Sequence, residues 1–234
     1  MYGETGRYPL FIRTAVKRVK YWLKLTKLSL SRLSRQTYEM LLAEHNQGKV
    51  NWVSKIQRIL TENGFGIVWL CQGVGYEMRF VAEFKDRLIS CYKQNWHSEE
   101  SDEKYKWFYS FKNLFVGENY LCFITTKRFH GTLTRFRLRA CCLRSHKVWF
   151  LTEASENSSC PVCGYILEDE VHVLFQCPAD LQIRQKYGFT EPINQPNWSH
   201  VRNILACADE PKTINLSKFL TIALDIREKK IEQE

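Results

Sequence analysis

One short stretch of the chain carries sharply spaced chemistry. Cys160-Pro-Val-Cys163-Gly164 is followed by His172-Val-Leu-Phe-Gln-Cys177, a C-x2-C-x8-H-x4-C arrangement. Two residues between Cys160 and Cys163 let the chain turn so that both sulfurs meet one ion, and Gly164 relieves that turn. His172 and Cys177, expected on a turn or the start of a helix, close a tetrahedral Cys₃His site for a single Zn²⁺. All four positions are then filled by protein, so the expected zinc is structural and not catalytic. Ordinary buried cysteines beside a satisfied histidine are the alternative. Four ligands at usable spacing within 18 residues weigh against it.

The other thiols suggest no second centre. Cys141, Cys142, His130 and His146 fit no common metal spacing, and adjacent cysteines point different ways. Cys71, Cys91, Cys122 and Cys207 are expected to be small buried residues. Nine cysteines, no signal-like apolar segment near the N-terminus, and no apolar run longer than Phe65 to Cys71 suggest an intracellular protein. It is expected in the nucleus or cytoplasm, not secreted, and with no membrane partner. GxxxxGK[ST], GxGxxG, GxSxG and HExxH are absent, and no two of the six aspartates are adjacent. Two-metal polymerase chemistry usually needs paired carboxylates, so no enzyme is expected.

Charge adds a partner class. The 234 residues are 44% hydrophobic, enough for real cores, and carry a net charge of +9. Residues 1–150 hold +14 and residues 151–234 hold −5. Such asymmetry suggests an anionic partner for the first two thirds, with RNA or DNA ahead of an acidic membrane surface. Two basic stretches are candidates for phosphate contact. Arg13, Lys17, Lys20, Lys24 and Lys27 repeat at helical spacing, as do the apolar Ile12, Val16, Val19 and Leu23 about 100° away. Residues 121–150 contain no acid and include Arg128, Arg135, Arg137 and Arg139. Residues 151–180 hold Glu153, Glu156, Glu168, Asp169, Glu170 and Asp180 and no Lys or Arg. The knuckle should therefore not attract phosphate strongly and should serve mainly to clip the fold together.

The elements that must position these residues are mainly helical. The expected fold is a basic α-helical domain with a small structural zinc knuckle near the C-terminal third. After Pro9 comes the striped helix, then one over Ser34 to His45 stopping near Gly48. Another covers Trp52 to Glu62, with Asn51 as N-cap and Gly64 past its end. Residues 65–76 are expected to turn, with a short strand at Ile67 to Leu70. Phe80, Phe84, Leu88, Tyr92 and Trp96 step along a further helix, and Trp107, Phe111 and Phe115 along the next. Phe129, Leu133, Phe136, Ala140 and Leu143 favour a helix over a strand, despite Gly131. Pro192, Pro196 and Asn197 suggest a linker before a last helix from about Asn215 to Lys230. The expected divisions are 1–120 basic and helical, 121–150 a basic helix, 151–190 the zinc module, and 191–234 linker and helix. Trp107, Phe108, Tyr109 and Phe111 are expected in a core, while Tyr21 and Trp22 stand beside the basic stripe.

Several blocks together resemble a known pattern. They are Leu133-Thr-Arg-Phe-Arg-Leu-Arg139, Ser145-His-Lys147, and the Cys₃His motif with Glu168-Asp-Glu-Val-His172. Gly3-Glu-Thr-Gly-Arg-Tyr-Pro-Leu10, Lys20-Tyr-Trp-Leu23, Asn51-Trp52, Phe84-Lys85 and Glu118-Asn-Tyr-Leu121 join them. The set resembles the region downstream of the reverse transcriptase in non-LTR (LINE-type) retrotransposon polyproteins, over residues 2–190. The resemblance implies a non-catalytic module that holds RNA and target DNA, without the endonuclease or the polymerase. Met1 falls where that family's chains are mid-protein, which suggests a surviving module or a truncated remnant. The competing expectation is a protein-interaction scaffold that docks through the acidic knuckle and the C-terminal helix.

Overall fold

The computed structural model describes residues 2–146, 158–188 and 195–233. The described residues form helices and turns, with no strand among them. None of these helices is long and apolar enough to cross a membrane. The chain divides into two compact units, Tyr8–Glu100 and residues 1–7 with Ser101–Glu234. The break thus falls near residue 100, not 120, and the first seven residues belong with the C-terminal part.

The Tyr8–Glu100 unit contains α2 (Leu10–Lys27), α3 (Leu33–Asn46), α4 (Trp52–Glu62), α5 (Gly66–Leu70) and α6 (Glu77–Ser98). α1 (Tyr2–Thr5) lies in the other unit. Apolar periodicity explains the long helices. Ile12, Val19 and Leu23 of α2 pack with Val53, Ile56 and Leu60 of α4 and with Phe80, Phe84 and Leu88 of α6. Asn51 caps α4 by accepting from the Val53 and Ser54 amides, and Ser54 returns a bond to the Asn51 amide. Gly48 and Gly64 take φ of +87° and +85° past the ends of α3 and α4.

The strand expected at Ile67 to Leu70 is instead the single helical turn α5. A lone strand here would have left its backbone groups unpaired. The turn closes Cys71 N onto Ile67 O at 2.9 Å and buries Trp69 against Trp22, with ring centroids 5.9 Å apart. Trp22 is 0% exposed and its Nε1 donates to the Tyr38 hydroxyl at 3.0 Å. It is therefore core, while its neighbour Tyr21 is exposed.

The second unit contains α1, α7 (Glu103–Tyr109), α8 (Tyr120–Phe123), α9 (Lys127–Arg137), a π-turn (His172–Gln176) and a 3-10 turn (Pro178–Asp180). It continues with α10 (Leu181–Lys186), α11 (Trp198–Leu205) and α12 (Glu210–Ile231). α7 stops before Phe111 and Phe115, because Ser110 folds back to donate to the Trp107 carbonyl. α9 ends short of Leu143. Leu138 caps it, Ala140 N bonds Arg135 O at 2.8 Å, and Arg139 takes φ +53°, a Schellman-type stop.

The segment expected as a linker and trailing helix is central to this core. Leu216, Phe219, Leu220, Ala223 and Leu224 of α12 pack with Leu133 and Phe136 of α9 and with Val171, Val173 and Leu174 beside the knuckle. Asn197 caps a helix that the sequence reading passed over, and Asp209 starts α12 earlier than expected. Pro192 lies outside the described residues.

Residues 2–6 are strapped into this unit. Glu4 is buried and accepts from Arg137 Nε at 2.9 Å and the Tyr120 hydroxyl at 2.6 Å, while its carbonyl accepts from Glu118 N at 2.8 Å. Gly6 approaches Gly117 so closely that a Cβ there would lie 2.3 Å from the Gly117 amide nitrogen.

Candidate metal centre

Cys160, Cys163, His172 and Cys177 converge, their ligand atoms all within 4.8 Å of one another. Local backbone chemistry explains the convergence. Gly164 N bonds Cys160 O at 2.9 Å with Gly164 at φ +76°, and Cys160 N bonds Tyr165 O at 2.7 Å. That closed turn brings Cys160 and Cys163 to one side. On the other half, Cys177 N bonds His172 O at 2.7 Å. This five-residue closure is the π-turn, a form often found at functional positions, and it brings His172 and Cys177 together. Tyr165 stacks flat on the His172 ring, 4.7 Å between centroids and 2° between planes.

The donor set fits a metal ion. Cys163 Sγ lies 3.3 Å from His172 Nε2, while His172 Nδ1 is buried without a hydrogen-bond partner. The Cys177 thiol and the His172 ring push the Cys160 thiol well down against the opposing effect of burial, and Cys177 is correspondingly pushed up. A divalent cation binds such thiols as thiolates and releases their protons. Three sulfurs and one imidazole, all from protein, make a closed soft-ligand shell.

Behind the ligands lies a buried ionic layer where the sequence suggested an acidic surface. Glu168, Glu170 and Asp180 are buried. Arg227, itself 0% exposed, donates from Nε to Glu168 at 3.0 Å and from Nη2 to Asp180 at 2.6 Å. Glu168 also accepts from Arg144 N at 3.0 Å, and Arg184 donates to the Cys177 carbonyl at 2.7 Å. Glu170 accepts from Arg139 at 2.7 Å and pairs with His146 at 2.9 Å. Burial pushes Glu170 up, but these two partners outweigh it and hold the carboxyl below the usual carboxylate range. Glu153 and Glu156 lie outside the described residues. Arg227 escaped the sequence reading, although it follows Leu220, Ala223 and Leu224 on the apolar face of α12.

Cys141, Cys142, His130 and His146 do not form a second centre. Cys141 Sγ lies 3.2 Å from His146 Nδ1, but Cys142 turns to the Leu224 carbonyl and His130 to the Ile124 carbonyl. All nine cysteines are free; Cys71 and Cys122 are exposed and Cys91 and Cys207 half-buried. The expected burial of those four therefore does not hold.

The basic residues separate into two groups. On α2, Arg13, Lys17, Lys20, Lys24 and Lys27 are all exposed, as is Arg18 beside them. Lys27 pairs with Glu77 at 2.7 Å. Among the described residues no carboxylate pairs with Arg13, Lys17, Lys20 or Lys24. On α9 the outcome differs. Arg135 is exposed and Arg128 is exposed but bonded to Asp225. Arg137 is 3% exposed, held by Glu4 and by Glu118 at 3.1 Å. Arg139 lies half-buried over the Trp107 ring, 4.2 Å from its centroid. Arg137, expected at phosphates, is thus an internal cation, and Arg139, just past the end of α9, is half-buried on Glu170, because carboxylates of their own unit reach both. Comparison with protein-family models, curated proteins and solved structures finds no match to this chain.

Proposed function

We propose that the protein is a non-catalytic, zinc-stabilised module that binds RNA or DNA, akin to the region downstream of the reverse transcriptase in non-LTR retrotransposon polyproteins. One structural Zn²⁺ on Cys160, Cys163, His172 and Cys177 holds the knuckle against α12. A closed four-ligand shell leaves no coordination position for substrate. The observation that carries nucleic-acid binding is the α2 face, where Arg13, Lys17, Lys20 and Lys24 stand exposed without a carboxylate partner. Arg135 adds an exposed cation on the other unit. Nine free thiols agree with a nuclear or cytoplasmic site of action.

Titration of the zinc-loaded protein with an RNA hairpin, single-stranded DNA and duplex DNA across salt concentration tests the reading. Contacts through the four α2 cations give a log–log salt slope of about −3, abolished by the combined Lys17→Glu, Lys20→Glu and Lys24→Glu exchange. Absence of binding at low salt would overturn it. The scaffold alternative retains one observation in its favour, the exposed Tyr165, Ile166 and Leu167 between the two ligand pairs. It requires a protein contact that survives the same charge reversal.

A further inference from the structure

The exposed face of α2 is not uniformly cationic. Lys17, Tyr21 and Lys24 follow one another at helical spacings of four and three, so one row of the helix presents a cation, an aromatic ring and a cation. Tyr21 is 52% exposed although it adjoins the fully buried Trp22. Its ring is steadied from below by the edge of Trp52, with centroids 6.0 Å apart at 69°. Trp52 opens α4, and one turn later Lys55 of that helix is also exposed. Two neighbouring helices of one unit therefore surround an aromatic pair with Lys17, Lys24 and Lys55. At the start of α2, Phe11 supplies a second exposed ring, set against Tyr92 with centroids 6.4 Å apart.

A purely electrostatic face for a duplex needs no aromatic surface, because paired bases already stack on each other. An exposed ring between cations matches the chemistry of an unpaired strand, whose phosphates seek the lysines and whose free base faces seek a stacking surface. We propose that this face selects single-stranded nucleic acid, with Tyr21 stacking a base between phosphates held by Lys17 and Lys24. The inference rests on the nucleic-acid reading of the same face and adds the class of strand.

Fluorescence anisotropy of the full zinc-loaded chain, with labelled oligonucleotides of about 12 nucleotides, tests it. The probes are single-stranded RNA, single-stranded DNA and a blunt duplex of the same sequence, the first two separating the sugar preference. The expected result is tighter binding to a single strand than to the duplex. Tyr21→Leu, which keeps apolar bulk against Trp52 but no π-face, should weaken single-strand binding about tenfold and leave duplex binding within about twofold. Tyr21→Phe should behave as the parent protein. Equal losses on both probes, no loss in Tyr21→Leu, or a preference for the duplex would overturn the inference. If charge reversal at Lys17, Lys20 and Lys24 removes binding while Tyr21→Leu does not, only the single-strand assignment falls. If the parent protein binds no probe at low salt, both readings fall.

Discussion

In the Tyr8–Glu100 unit the buried side chains described are all hydrophobic. The unit formed by residues 1–7 and Ser101–Glu234 also buries Glu4, Lys112, Arg137, Glu168, Glu170, Asp180, Arg184 and Arg227. Each unit has a helix with a basic stripe, and the cores decide what the stripe does. α2 buries Ile12, Val19, Trp22 and Leu23 and has no internal acid to pair with, so its cations face solvent. α9 sits against Glu4, Glu118 and Glu170, so Arg137 and Arg139 turn inward. A basic residue is therefore free to bind a partner only where its own unit brings no carboxylate to it, as at Arg13, Lys17, Lys20 and Lys24 but not at Lys27.

The largest expected effect separates the units by metal. Chelation, or Cys163→Ser, should unfold the knuckle-containing unit and leave the helical signal of the Tyr8–Glu100 unit. Structural zinc in small modules contributes on the order of 10 kcal/mol. Mild acid should act alike, because ligation needs deprotonated thiols and a neutral imidazole; the stabilisation is full at neutral pH and lost as pH falls. Zinc release followed with circular dichroism tests this. A metal-free protein with unchanged melting would end the claim.

Next in size is the ionic layer. Arg227→Ala leaves Glu168 and Asp180 buried without their cation and should cost about 3–5 kcal/mol in urea unfolding. A cost below about 1 kcal/mol would mean that solvent enters the layer. A sharper version of the comparison pairs Arg137→Ala with Lys20→Ala. The first should destabilise by about 3–5 kcal/mol, whereas the second should change stability by no more than about 0.5 kcal/mol and weaken RNA or DNA binding instead. Exchanged phenotypes would reverse the roles assigned to α2 and α9. The smallest effect is local to the apolar unit: Asn51→Ala removes the α4 cap and should cost about 1 kcal/mol, read as a lowered melting temperature.

Much of this was legible in the residues. The 3.6-residue spacing of Phe80, Phe84 and Leu88 placed α6, and Asn51 and Gly64 bracketed α4 because caps satisfy backbone groups locally. Two short stretches of spaced Cys and His defined the metal cluster, since each pair is closed by its own turn. Ile67 to Leu70 was not legible as helix, because four apolar residues carry no distinguishing period. Arg139 ends α9 in a left-handed conformation that its type disfavours, held by the Trp107 ring and Glu170 from elsewhere in the fold.

The sequence by itself determined the helical character, the two ends of α4 at Asn51 and Gly64, and the four candidate metal-ligand positions, because each depends on groups only a few residues apart. Tertiary structure alone decided which charges stay free. Glu4 reaches Arg137 across 133 residues and Arg227 reaches Glu168 across 59, pairings that no local period records. Burial makes those pairings obligatory, since an unpaired charge away from water is costly. The cations left on α2 are those for which the fold provided no such partner.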